Sequence, residues 1–239
     1  MGHRLFLPAP LQSGEALILD TERGHYIARV LRLKRGDRFS CFDGTGQEFA
    51  AEVANARGKS VTVQIGELLR AETQPPVSLH LAIGWLKGQA MDTVVQKATE
   101  LGVSELWPVA ANRSNVRISA QRTAGRLTHW RKIATHAAEQ SARLQVPSVH
   151  QPITLADYLA ADPTLPKVML HPGHEPMGAD LPRGALALLV GPEGGWTADE
   201  VAAAIAAGAS VHGLGELILR AETAPIAALA CVHQLRGWR

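Results

Sequence analysis

The sequence predicts an α/β protein: a small barrel of short strands, followed by a parallel sheet covered by helices on both faces. Three observations predict this. Residues 1–70 carry short apolar runs punctuated by Gly, Asn and Asp, the pattern of a compact β unit. Beyond residue 76, apolar strands alternate with helical stretches, as in a sheet whose strands are joined by crossover helices. Between the two lies Gln74-Pro75-Pro76. Pro-Pro continues neither a helix nor a central strand, and so makes a short stiff linker.

The elements follow in order. Ala16 to Leu19 is an apolar run, and Tyr26 to Leu33 reads equally as a short helix or a strand. Arg38 to Phe42 runs into Asp43-Gly44, with Gly46 beyond, and Glu48 to Val53 resumes. That is a strand, a turn and a strand. A second hairpin joins Glu48–Ala54 to Ser60–Ile65 through Asn55 and Gly58. Val61, Val63 and Ile65 alternate with polar neighbours, as in a half-buried strand. Past the linker, Val77 to Ile83 predicts a strand, and Gln89 to Leu101 a helix stopped by Gly102. Glu105 to Val109 predicts a strand, and Gln121 to Leu144 a long helix halted before Pro147. Lys167–Leu170 and Ala185–Val190 read as short buried strands. Thr197 to Ala207 is a helix ending at Gly208, with Thr197 and Glu200 spaced as a capping box. Ser210 to Leu214 is a strand, and Pro225 to Leu235 a final helix with Thr223 as its N-cap.

Composition narrows the function classes. Hydrophobic residues make up 46% of the 239 and charged ones 19%, so a packed core is affordable to the chain. The 24 Lys and Arg against 22 Asp and Glu leave a net charge of +2. Retention on nucleic acid by bulk charge is excluded; a local patch is needed. Cys41 and Cys231, far apart, form neither a disulfide framework nor a zinc cluster. Both sit in apolar stretches and read as core. The start shows no secretory signal and Phe6 breaks a myristoylation pattern. No apolar run reaches the roughly 20 residues of a membrane span. The expectation is a cytoplasmic protein with no membrane partner.

Three features carry chemistry. Gly191-Pro192-Glu193-Gly194-Gly195 joins an apolar strand to a helix. In an open parallel sheet ligands bind at the carboxyl ends of strands, and glycines let them approach the backbone. The loop is neither a Walker loop nor a dinucleotide fingerprint. It contains Glu193 and has no basic neighbour apart from Arg183. It suits a ligand with a neutral or cationic portion, such as a nucleoside carrying a sulfonium. The second feature, Leu214 to Ala224, joins a strand to the last helix and sets Arg220 and Glu222 among apolar residues. They form either a surface pair or a functional one. The third is a local basic bias: Arg113, Arg117, Arg122, Arg126, Arg131, Lys132 and Arg143 lie near a single acid, Glu139. On a continuous helix His136, Gln140 and Arg143 would share a face. Arg4, Arg29, Arg32, Lys34, Arg35 and Arg38 add a second cluster, and the two could clamp a phosphate backbone. His171 ends a strand and could line a pocket with the Gly191 loop. Pro172, Gly173 and Pro176 rule out a helical zinc motif with His174, and no metal is expected.

Together these segments resemble the RsmE family of the SPOUT superfamily, enzymes that use S-adenosyl-L-methionine to methylate N3 of one uridine in small-subunit (16S) ribosomal RNA. The resemblance rests on Gly191 to Gly195 followed by Glu200, and on Leu214-Gly215 with Ile218-Leu219-Arg220-Ala221-Glu222-Thr223-Ala224. It extends to His25–Asp37, Phe42-Asp43-Gly44, Lys97–Val103, Arg113-Ser114, and Glu139-Gln140 with Arg143 and Pro147. It implies a PUA-like, RNA-binding β-barrel over 1–73. Over 74–239 it implies a SPOUT α/β methyltransferase domain with a deep trefoil knot, in a homodimer. It implies a cofactor site made of His171, Gly191, Pro192, Glu193, Gly194, Gly195, Leu214, Gly215, Ile218, Leu219, Thr223 and Ala224. Arg4, His25, Arg29, Arg32, Arg113, Ser114, Gln140 and Arg143 would contact the RNA.

Uracil N3 carries a proton and becomes nucleophilic only as that proton leaves, charging O2 and O4. Arg220 is assigned to that charge. Glu222 is assigned to the proton, to orienting Arg220, or to capping the helix. The other readings are a SPOUT enzyme for another target, such as a ribose 2′-O, and a non-catalytic ribosome-assembly factor that binds RNA.

Overall fold

A computed structural model gives the structure of residues 2–8, 10–56, 60–72, 77–114 and 120–237, with residues 120–122 as backbone only. The Gln74-Pro75-Pro76 linker, the turn residue Gly58, Arg117 and the Arg122 side chain lie outside the described residues. The chain forms two compact units: 1–75 with 138–145, and 76–137 with 146–239.

The first unit is a five-stranded sheet. Its strands are β1 (Arg4–Phe6), β2 (Ala16–Ile18), β3 (Arg38–Phe42), β4 (Gln47–Asn55) and β5 (Thr62–Ala71), in the order β1-β3-β4-β5-β2. Only β1 and β3 run parallel. The Asp43 turn forms as its residues demand: Asp43 Oδ1 accepts from the Thr45 amide at 2.9 Å, and Gly44 and Gly46 take positive φ. Alternate residues Val61, Val63 and Ile65 enter a core with Leu5, Leu7, Ile27, Phe39, Cys41 and Val53. The ambiguous Tyr26–Leu33 stretch is helical as far as Val30. Helix α1 (Thr21–His25), capped by the Asp20 carboxylate, continues as a π-helical turn over Tyr26–Val30. Strand β1 escaped the sequence reading because three residues are too few to show a period, and β5 runs six residues past Ile65.

Segment 138–145 joins this unit through Arg4. Its Nε donates to Glu48 at 2.9 Å, Nη1 to the Ala138 carbonyl at 2.9 Å and Nη2 to the Arg143 carbonyl at 2.6 Å. The guanidinium lies 4.0 Å over the Phe42 ring. Glu139 accepts from the Phe6 amide at 2.9 Å and from Arg23 at 3.2 Å.

The second unit is an all-parallel sheet of β6 (Leu79–Gly84), β7 (Glu105–Ala110), β8 (Ser148–Val149), β9 (Ile153–Thr154), β10 (Lys167–Leu170), β11 (Leu186–Val190) and β12 (Ser210–His212). The order is β12-β10-β11-β6-β7-β8, with β9 also on β7. Its helices are α2 (Gln89–Glu100), α3 (Ala120–Gln140), α4 (Leu155–Ala161), α5 (Ala198–Ala206) and α6 (Thr223–Arg236). Side chains alternate across a strand, so the buried strands feed two cores. Leu81, Ile83, Leu188, Val190 and Val168 pack with Met91, Val95, Leu127, Trp130 and Leu229 of α2, α3 and α6. Ala82, Met169, Ala187 and Leu189 pack with Leu155, Tyr158 and Ala204 of α4 and α5 on the other face. Among the described residues no helix is long and apolar enough to cross a membrane.

Four expectations are corrected. Helix α3 stops at Gln140, not Leu144, because Ala142 turns to φ +60°. Arg143 therefore leaves the helix and shares no face with His136 and Gln140. Cys231 is exposed on α6 rather than buried. Helix α6 begins two residues early, at Thr223 rather than Pro225: Glu222, not Thr223, is at the N-cap, and its side chain makes no capping bond. Helix α4 and the two-residue strands β8 and β9 were not foreseen.

Candidate functional site

The carboxyl ends of β10, β11 and β12 lie side by side, and the loops leaving them enclose a cavity of about 330 Å³. From β10 comes His171, whose amide donates to the His212 carbonyl at 2.9 Å. Its Nδ1 lies 2.8 Å from the Pro172 carbonyl. A carbonyl only accepts, so Nδ1 is the donor in this contact.

From β11 comes the glycine loop. The Gly195 amide donates to the Pro192 carbonyl at 2.8 Å, and Gly195 takes φ +67°, which a side chain rarely adopts. Gly194 meets another need: a Cβ there would lie 2.8 Å from the Arg113 Cβ. Glu193 Oε1 accepts from the Lys87 amide at 3.1 Å. The capping box forms as expected, with the Thr197 amide donating to Glu200 Oε2 at 2.8 Å and the Glu200 amide to Thr197 Oγ1 at 3.2 Å. The other Glu200 oxygen accepts from the Asn112 amide at 2.8 Å. One buried carboxylate thus ties the start of α5 to the loop after β7.

From β12 comes residues 213–222. The Gly213 amide donates to the Glu175 carbonyl at 2.8 Å, and a Cβ on Gly213 would collide with the His174 carbonyl. The chain leaving β12 therefore passes hard against the loop that follows β10. Leu214, Ala221 and Ala224 pack on the core, whereas Leu217 and Ile218 are 80% and 78% exposed.

The cavity brings together His171, Gly191, Pro192, Glu193, Gly194, Gly195, Leu214, Gly215, Ile218, Leu219 and Ala224. Thr223 is not among its walls; its amide donates to the Arg220 carbonyl at 2.9 Å. Arg220 and Glu222 also stand outside the cavity of the single chain. Their side chains are 86% and 29% exposed and approach to 4.0 Å, a loose surface pair and not the apolar enclosure read from their neighbours.

The residues expected on RNA divide. His25, Arg29, Arg32 and Gln140 are exposed. Arg4 is corrected: its donors are spent inside the first unit, so it is a bracket and not an outward phosphate contact. Arg143 supplies its carbonyl to Arg4, and burial lowers its guanidinium to about 10, against the pull of Glu72. Arg113 is a cavity wall, with Nη1 donating to the Gly194 carbonyl at 3.1 Å. Ser114 follows it, its Oγ buried with no hydrogen-bond partner among the described residues. Sequence reasoning missed Trp196, Leu217 and Ala221 as walls, and missed the meeting of Arg113 with the glycine loop. Adjacency to Gly195 and Ile218 was the available signal for the first two. His171 and His174 are edge to face at 5.4 Å, and no group of three or more His, Cys, Asp or Glu among the described residues could hold a metal.

Known proteins match this arrangement. The RNA methyltransferase domain family matches residues 73–233, and the RNA methyltransferase PUA domain family residues 19–66. The chain is 37% identical to the ribosomal RNA small subunit methyltransferase E of Synechocystis sp., over 98% of this chain and 78% of that protein. It is 32% identical to the protein of the same name from Bacillus subtilis, over 88% and 87%. In structure it is similar to the ribosomal RNA small subunit methyltransferase E of Neisseria gonorrhoeae bound to S-adenosyl methionine, with TM-score 0.90, 32% identity and 98% of each chain covered. A Legionella pneumophila methyltransferase in complex with the same cofactor gives TM-score 0.92 and 33% identity, with 98% of each chain covered.

Proposed function

Because the chain belongs to the ribosomal RNA small subunit methyltransferase E family of RNA methyltransferases, we propose that it methylates N3 of one uridine in 16S ribosomal RNA, on the assembled subunit, using S-adenosyl-L-methionine. The observation that carries this reading is the cavity at three adjacent strand ends, walled by the glycine loop and by Gly213–Gly215, Leu217–Leu219, Ala221 and Ala224. Those residues fit the cofactor. A Cβ on Gly195 or Gly215 would meet no protein atom within 4 Å, so the glycines keep volume open. Apolar walls such as Leu170, Val190 and Leu219 suit a nucleoside, and Glu193 suits its cationic centre. His171, Gly191 to Gly195, Leu214, Gly215, Ile218, Leu219 and Ala224 would hold it. When bound, it supplies a methyl group activated by a sulfonium.

The chain supplies alignment and proton control. Holding donor and acceptor in line contributes much of the barrier reduction. A paired N3 is inaccessible, so the uridine is bound unpaired or flipped out. Arg220 stabilises charge on O2 and O4 as the N3 proton leaves, and Glu222 takes that proton or orients Arg220. Both stand on the loop that exposes Leu217 and Ile218, which supports a homodimer in which a second copy covers this loop and completes the site. Arg29, Arg32 and His25 on the first unit hold the RNA backbone, with Gln140 of segment 138–145. The tight passage of Gly213 against residues 174–176 supports a knotted path within 74–239. The reading places the PUA-like unit at 1–73 and the protein in the cytoplasm.

The test is incubation with labelled S-adenosylmethionine and unmodified small subunits, with modified nucleosides mapped by mass spectrometry. N3-methyluridine at one position is expected, and Arg220→Ala and Glu222→Gln should each lower its yield with cofactor binding retained. Label on a ribose would overturn the target. No label and no cofactor binding would overturn the enzyme reading in favour of an assembly factor.

A further inference from the structure

The charge of this chain is unevenly placed. Residues 106–138 hold six Lys or Arg and no Asp or Glu, although the whole chain carries a net charge of only +2. The remainder is therefore net negative, and attraction to a polyanion is concentrated on this stretch. Helix α3 presents it. Leu127, Trp130 and Ala134 turn inward and pack in the core. Arg126, His129, Lys132 and His136 are exposed on the outer side, a strip about 15 Å long and so within reach of several phosphates of one strand.

Ion pairing within the helix does not account for this strip. Opposite charges one turn apart stabilise a helix and like charges destabilise it. Helix α2 follows that rule, with Lys97 Nζ 2.9 Å from Glu100. Helix α3 has no acid before Glu139, and residues 115–119 ahead of it contain none either. The Glu139 carboxylate is buried and accepts from the Phe6 amide and from Arg23. Asp92 of α2 does reach the strip, 2.9 Å from His129 Nε2, but its other oxygen accepts from the buried Trp130 Nε1 at 3.0 Å. That carboxylate locks α3 to α2. Arg131 is likewise structural, its Nη2 donating to the Val149 carbonyl at 3.1 Å.

We propose that the outer face of α3 is an RNA-docking surface, on which Arg126 and Lys132 bind phosphates of the small-subunit RNA. This rests on the reading of the chain as a small-subunit RNA methyltransferase, and it gives the second unit a backbone contact of its own. A helix face that gathers one sign of charge destabilises the free protein and suits a polyanion. RNA is favoured over an acidic protein because none of the large exposed hydrophobics among the described residues lies on α3, and protein interfaces centre on such anchors. Phosphate contacts supply affinity and register, not sequence choice.

The experiment is filter binding of labelled full-length 16S RNA transcript to the full chain between 50 and about 200 mM salt. The variants are Arg126→Gln, Lys132→Gln and the two combined, since Gln keeps helix propensity. Arg183→Gln, exposed ahead of β11, removes the same charge elsewhere. Each α3 substitution should weaken binding by about tenfold at low salt and lower the salt slope by about one, and the pair by about two. Arg183→Gln should change neither. Titration calorimetry should give a wild-type Kd for S-adenosylmethionine throughout, because no residue of α3 lines the cavity. With unmodified small subunits the double variant should show a raised KM and an unchanged kcat. Wild-type affinity and slope in the double variant would overturn the surface. An equal loss in Arg183→Gln would make the effect one of net charge and overturn it too. Wild type that methylates small subunits while the variants bind as it does overturns the surface alone, whereas wild type that neither binds the transcript nor methylates the subunit overturns the reading beneath it.

Discussion

Gly84→Ala tests whether the glycine loop is held in place by the strand beside it. Gly84 ends β6, and a Cβ built there lies 2.5 Å from Pro192 Cδ and 3.0 Å from the Gly191 carbonyl carbon. Comfortable carbon contacts are about 3.5–4.0 Å, so strand and loop must part by about 1 Å. The obstacle is backbone and a proline ring, which have no rotamer to yield. Overpacking of this kind costs about 1–3 kcal/mol. For a domain of this size that lowers Tm by about 2–12 °C. Because Gly191 and Pro192 wall the cavity, cofactor affinity should fall by about tenfold as well. Gly125→Ala is the control. Gly125 is exposed in α3, its added Cβ meets nothing within 4 Å, and it should stabilise by about 0.5–1 kcal/mol. Differential scanning fluorimetry and calorimetry read both quantities. A Gly84→Ala protein with wild-type Tm and wild-type Kd would refute the claimed contact between β6 and the loop.

Other outcomes follow from the same geometry. Glu48→Ala leaves the Arg4 guanidinium, 12% exposed, without its carboxylate, and should cost about 3 kcal/mol by denaturant titration at neutral pH. Burial alone would raise the Glu48 carboxyl, but hydrogen bonds from Ser40, Arg70 and Arg4 outweigh it and hold it low. That stabilisation is lost as pH falls through the lowered value, so wild type and variant should converge below about pH 4. Burial depresses His80 and His150, with Glu105 opposing, so both charge more readily when unfolded. Stability present above about pH 6.5 should drop as pH falls through it, and His150→Gln should flatten that slope in a Tm series. Thr197→Ala removes half of the α5 capping box and should cost about 1 kcal/mol, a Tm loss of about 2–4 °C.

Part of this structure is decided between neighbours along the chain. The Asp43 turn and the Thr197–Glu200 box form because each satisfies its own hydrogen bonds within a few residues. The glycine loop was legible as a site for the same reason: more glycine than a turn requires, placed after a buried strand. Tertiary structure decided the rest. Ala142 in a left-handed conformation ends α3 early and turns segment 138–145 back to Arg4, 134 residues away at Ala138. Nothing local distinguishes that arginine from a surface one. Arg113 likewise looked like one more member of a basic run, yet it meets Gly194 81 residues on. The sheet order that sets β10, β11 and β12 together depends on packing two cores against opposite faces, a property of the whole sheet. Local hydrogen bonds and periodicity act over one turn or one strand. The cavity is made where three such pieces end, and only the folded chain brings those ends together.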